Sequence, residues 1–205
     1  MRKSTILRAA AIGVGALALS GVAGMAFADD EFGSEGVEVF LEIEPLSVYG
    51  DLTMTVAATS AELHEDGSTD EVRRFSGTLP TVTVTDERDP ADVPSGLGWY
   101  VLGSIEDFTG DDGQPDIPAD QFGWAPVMID DGDLNLVSEG DEVATSLDDP
   151  AGPGLVASEL LALAVDSGMI LDEHEWTASA ELILKTAPDV AAGNYAADLT
   201  LTLME

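Results

Sequence analysis

The sequence predicts an all-β fold: an antiparallel β-sandwich of Ig-like or jelly-roll-like type, with at most one short helix. Three observations carry this. Apolar and polar residues alternate with a period of two in run after run, as half-buried strands require. The runs are rich in Val and Thr, whose branched side chains suit a pleated surface. Clusters of Gly, Pro, Asp and Asn separate them, and such clusters make turns.

The elements follow in order. "MRKSTILR" carries Arg2, Lys3 and Arg8, and an uncharged run from Ala9 to Ala28 closes on Ala26-Phe27-Ala28. A basic start, an apolar middle and a small-x-small end predict a Sec-type signal peptide over residues 1–28. Residues 29–36 are expected to be loose, and 37–205 to form a single β-sandwich domain. In "VEVFLEIE", Val37, Val39, Leu41 and Ile43 share one face, with Glu38, Glu42 and Glu44 on the other. "LTMTVA" repeats the pattern with Leu52, Met54 and Val56, and "TVTVT" with Val82 and Val84. In "WTASAELILK", Trp176, Ala178, Ala180, Leu182 and Leu184 face in, while Thr177, Ser179, Glu181 and Lys185 face out and Ile183 breaks the pattern. "YAADLTLTL" places Tyr195, Ala197, Leu199, Leu201 and Leu203 inward. The loop "APDVAAGN" is expected to join these last two runs as a hairpin. Ser158 to Met169 stays open between a short helix and a buried strand, because a short apolar run fits both.

Charge and composition narrow the function. Beyond residue 28 only Arg73, Arg74, Arg88 and Lys185 face all 40 acids, a balance of −36. Tracking a phosphate backbone needs several cations, so nucleic acid is excluded as a partner, and an anionic membrane surface with it. Self-repulsion of this size favours solubility and opposes compactness. No second apolar span follows the signal peptide, so no membrane insertion is expected after its cleavage. The chain has no Cys. Thiol catalysis, Cys-bound zinc, disulfides and a Cys-linked lipid anchor are therefore excluded.

Catalytic patterns are missing. There is no Gly-x-Ser-x-Gly elbow and no phosphate loop. His64 and His174 stand alone among acids, without a second His at metal spacing. Carboxylate pairs carry no signal where acids are this abundant. Asp131, Asp133 and Asn135 match the first ligands of an EF-hand loop, with Glu142 at the twelfth place, but Leu136 stands where the turn needs Gly. This is read as a chance match in an acidic loop, leaving at most weak Ca²⁺ binding. No other cofactor is expected, and the protein is read as not an enzyme.

A family resemblance enters through two motifs. Thr85-Asp86-Glu87-Arg88 is followed by Trp99-Tyr100-Val101, and the terminal run carries Tyr195, Leu199, Leu201 and Leu203. Between them lies Gly123-Trp124-Ala125-Pro126. This order resembles the WxL-domain family of Gram-positive surface proteins, in particular its short secreted actinobacterial relatives. The resemblance covers roughly Leu79 to Leu203, with Val101 in place of the family's Leu and Leu201 in place of its second Trp. It implies an extracellular protein associated non-covalently with cell-wall peptidoglycan; the rival readings are a structural or adhesive subunit that binds another surface protein, and a freely secreted acidic protein. It places binding at Trp99, Tyr100, Val101, Trp124, Tyr195, Leu201 and Leu203. By strand phase Trp99 belongs to the core with Val101 and Ile105, Tyr100 and Leu102 face the other way, and Trp124 is expected to be exposed in a loop. Arg88 is read as a cation neutralising its acidic neighbours. An anionic wall would repel this chain, so wall association is expected to need divalent cations.

Overall fold

The computed structural model describes residues 50–205; the expected signal peptide, the loose 29–36 stretch and the Val37–Glu44 alternation lie outside them. The described residues are all-β, and their helical segments are three-residue 3₁₀ turns. In chain order the strands are β1 (Leu52–Val56), β2 (His64–Glu65), β3 (Arg73–Thr78), β4 (Val82–Asp86), β5 (Trp99–Ile105) and β6 (Thr109–Gly110). There follow β7 (Phe122–Asp130), β8 (Val137–Glu139), β9 (Glu159–Ala164), β10 (Glu175–Thr186), β11 (Tyr195–Ala196) and β12 (Leu199–Met204).

All strand pairs are antiparallel. The larger sheet runs β1-β4-β10-β3-β2, with β7 on the other side of β10, and the second sheet runs β12-β5-β9-β8. β10 organises the first sheet because it is long enough to pair with three strands. Its first half takes β4, its second half takes β3, and its opposite edge takes β7.

The two sheets are packed face to face, and tryptophans fill the space between them. Trp99 on β5 meets Trp176 on β10, ring centroids 5.5 Å apart and tilted. Trp124 on β7 reaches across to β5 at Gly103. A Cβ there would overlap the Trp124 ring, with Cζ3 at 2.8 Å. Val82, Val101, Leu155, Leu161 and Ile170 complete the buried interior.

Several sequence expectations are corrected. The loop after β10 does not close a hairpin. β10 belongs to the larger sheet and β12 to the smaller, so "APDVAAGN" carries the chain from one layer to the other. The open stretch at Ser158–Met169 resolves into β9 followed by a 3₁₀ turn at Ser167–Met169. Ser179 keeps its outward phase between Ala178 and Ala180 but is buried rather than exposed, and its hydroxyl donates to the Leu79 carbonyl at 2.7 Å. Leu52, Met54, Leu199, Leu201 and Leu203 keep the expected phase but are only half-buried. Val56, in the same phase, is exposed. These residues lie on β1 and β12, at the ends of the two sheets.

Candidate functional site

The outer face of the four-stranded sheet presents the side chains that the tryptophan-lined core leaves over. Trp99, Val101, Gly103 and Ile105 point inward on β5, so Tyr100, Leu102 and Ser104 point out. Register with β12 sets Met204 beside Tyr100 and Thr202 beside Leu102. Register with β9 sets Leu163 on the other side of Tyr100 and Leu160 beside Leu102. One row therefore reads Met204, Tyr100, Leu163, and the next Thr202, Leu102, Leu160. The outward positions of β5 and β12 carry no charge at all.

A bulge makes this face. The β5–β9 register shifts between Val101 and Leu102, which leaves Leu161 as an extra residue on β9. Leu161 and Ala162 are both buried, and Leu160 and Leu163 are returned to the outside. Without the bulge, strict alternation would put Leu160 and Leu163 on opposite faces. Just past β9, Val165 is 72% exposed, and Met204 across the sheet is 42% exposed. Tyr100, Leu160, Leu163 and Val165 line a shallow hollow of about 390 Å³ with Glu205 at its edge.

An ion-pair network closes that edge. Asp86, at the end of β4, is fully buried, and Arg88 grips it through Nε (2.8 Å) and Nη2 (2.6 Å). The third guanidinium nitrogen of Arg88 donates to Glu205, just beyond β12. The two sheets are thus tied together at one end. Asp86, against the opposing cost of burial, and then Glu205 raise the Arg88 pKa and hold the guanidinium charged. The other three cations beyond residue 28 are paired as well. Arg73 binds Glu65, Arg74 binds Glu181, and Lys185 binds Asp148. The Arg73 guanidinium, helped by Ser68, pulls the Glu65 carboxyl below its ordinary value of 4.5 to about 2.

The motif residues do not gather into one exposed site. Trp124 is a correction: it lies on β7 and is fully buried, because β7 pairs with β10 and turns the indole toward Gly103. Trp99 and Val101 are buried as well. Among the described residues neither the Trp99 nor the Trp124 indole N–H meets an acceptor, so packing holds these rings. Trp176, by contrast, donates to Glu173 at 3.1 Å. Tyr195 is half-buried on β11 with its hydroxyl bonded to the Ala191 carbonyl at 2.9 Å. Leu201 and Leu203 face between the layers. Of the motif residues, Tyr100 alone belongs to the outer face.

The acidic loops form no ligand cluster. Among the described residues no three His, Cys, Asp or Glu side chains come together as a metal site, so Asp131, Asp133 and Glu142 are not gathered into one. Asn135 instead adopts a left-handed backbone (φ 53°) and donates to the Asp133 carbonyl. No protein-family model, curated protein or solved structure matches the chain.

Leu160, Leu163, Val165 and Met204 were not singled out by sequence reasoning. Their one signal is the pair of leucines flanking "LA" in "ELLALAV", which gains meaning only once the bulge is known.

Proposed function

We propose that this chain is an exported, non-enzymatic surface protein of WxL-like character, and that it holds another surface protein against the outer face of the four-stranded sheet. The carrying observation is a row of apolar side chains, Met204, Tyr100 and Leu163, on a face whose β5 and β12 positions carry no charge, in a molecule dominated by carboxylates. Contiguous exposed apolar surface rimmed by polar residues marks interaction sites. Tyr100 at its centre suits an interface anchor, flanked by leucines that exclude water.

A protein partner fits this surface better than a glycan. Sugar rings stack on aromatic faces, and Trp99 and Trp124, the rings that the resemblance offers for that role, are inside. The peptidoglycan reading retains one support: Tyr100 lines an open hollow where a sugar ring can stack.

The test uses cells of the source organism, the same cells shaved with protease, and bare wall sacculi, each incubated with protein from Asp29 to Glu205. Co-sedimentation with intact cells that disappears after shaving, and disappears in Leu163→Glu, supports the protein partner. Equal pelleting with sacculi, abolished by Tyr100→Ala, favours the wall reading.

A further inference from the structure

A second apolar surface lies where the sandwich is left open. Among the described residues β1 pairs with β4 alone and β12 with β5 alone. No other described strand lies against their remaining edges, which carry backbone N–H and C=O groups. Sheet edges are usually guarded by lysine, proline or a bulge, because a bare edge is a template for another strand. Here β1 reads "LTMTV" and β12 reads "LTLTLM", with neither charge nor proline. Between them opens a cleft of about 430 Å³, lined by Met54, Val56, Leu63, Leu199 and Leu201, with Phe108 and Phe122 on its floor. The half-burial of Leu199 and Leu201 and the 40% exposure of Val56 follow from this opening.

We propose that this cleft is a strand-acceptor site for a cationic partner: an extended protein segment with apolar residues at alternate positions and Lys or Arg between them. An added strand would place every second side chain into the apolar cleft and its backbone against a free edge. The other side chains would face outward over an acidic molecule. Among the described residues no Lys or Arg lines this cleft, Asp198 does, and the adjoining hollow carries Glu62 as well as Arg73, whose charge Glu65 already meets. Charge complementarity therefore selects a basic segment over an acidic one. The chain's own Val37–Glu44 stretch has the right alternation but three glutamates on its other face. A second copy of the molecule brings the same negative charge. The site is separate from the outer face of the smaller sheet, and neither proposal depends on the other.

The experiment is fluorescence-polarisation titration of the Asp29–Glu205 protein with three labelled peptides. These are alternating Lys-Val, alternating Glu-Val, and a blockwise Lys-Val peptide of the same composition. The expected result is saturable binding of alternating Lys-Val, at least tenfold tighter than either control. Val56→Asn, a change at an already exposed position, should weaken it about tenfold. Val165→Asn, on the other face, should leave it unchanged. Three results would overturn the proposal. Equal binding of the blockwise peptide would reduce the effect to general charge attraction. Binding that appears only in the Val39→Asn/Leu41→Asn double variant would assign the cleft to the chain's own segment. Self-association that competes with the peptide would assign it to a second copy. Loss of outer-face binding in Leu163→Glu with peptide binding intact would separate the two surfaces.

Discussion

Gly103 and Trp124 show how tightly single residues set the spacing of the two layers. An alanine methyl at Gly103 would occupy the space that the Trp124 ring fills, with the Leu201 Cδ2 at 3.2 Å as well. Overpacking of this kind costs about 1–3 kcal/mol, so Gly103→Ala should lower the unfolding free energy by about 2 kcal/mol in urea titration. Trp124→Ala should lower it by about 3–5 kcal/mol, the cost of a large core cavity, and it cannot serve as a binding variant. Arg88→Ala removes the partner of a fully buried carboxylate and should cost about 3 kcal/mol. Arg88→Lys should rescue only part of this, because an ammonium cannot hold both Asp86 oxygens and Glu205 in one plane. Glu65 supplies the pH readout. Its folded pKa is depressed, so its contribution is complete above about 4.5 and is lost as the pH falls through about 2. An NMR titration should place its midpoint near 2 and move it up toward the ordinary range in Arg73→Gln, with the Ser68 hydrogen bond still holding it somewhat low.

At the scale of elements, alternation made most strands legible and hid the ones that matter for binding. β1, β4, β5, β10 and β12 were readable because period two is unbroken over most of their length. Trp99 and Trp176 could be placed in the core from phase alone. β9 stayed ambiguous, because Leu161 inserts an extra buried residue, breaks the alternation and leaves a short apolar run that fits a helix as well as a strand. The burial of Ser179 was not legible because its hydroxyl is satisfied by a carbonyl a hundred residues away. Trp124 was misplaced because Pro126 and the glycine before it imitate a loop. That proline lies within a strand that pairs on one side with β10 and, among the described residues, has an isolated bridge, Trp124 to Val143, rather than a paired strand on the other. The hairpin expectation failed because sequence adjacency says nothing about which layer a strand joins. The outer face depends on three strands in register, and register between distant strands is not written in any one of them. Leu163→Glu, at a half-buried position on that face, should change stability by less than about 1 kcal/mol in urea titration while removing partner binding.

At the scale of the molecule, charge dominates. All four cations beyond residue 28 are paired with carboxylates, so the surface offers acids and few counter-charges. Salt screens this repulsion, and the melting temperature should rise between low and moderate ionic strength. On such a surface the uncharged outward positions of β5 and β12 add no repulsion, and Tyr100 with its leucine neighbours supplies the desolvated contact. The most direct measurement of this account is co-sedimentation of wild-type protein and Leu163→Glu with intact and protease-shaved cells. The account predicts that wild type pellets with intact cells only and that Leu163→Glu stays in solution while remaining folded. Leu163→Glu pelleting as well as wild type, or wild type pelleting undiminished with shaved cells, would contradict it.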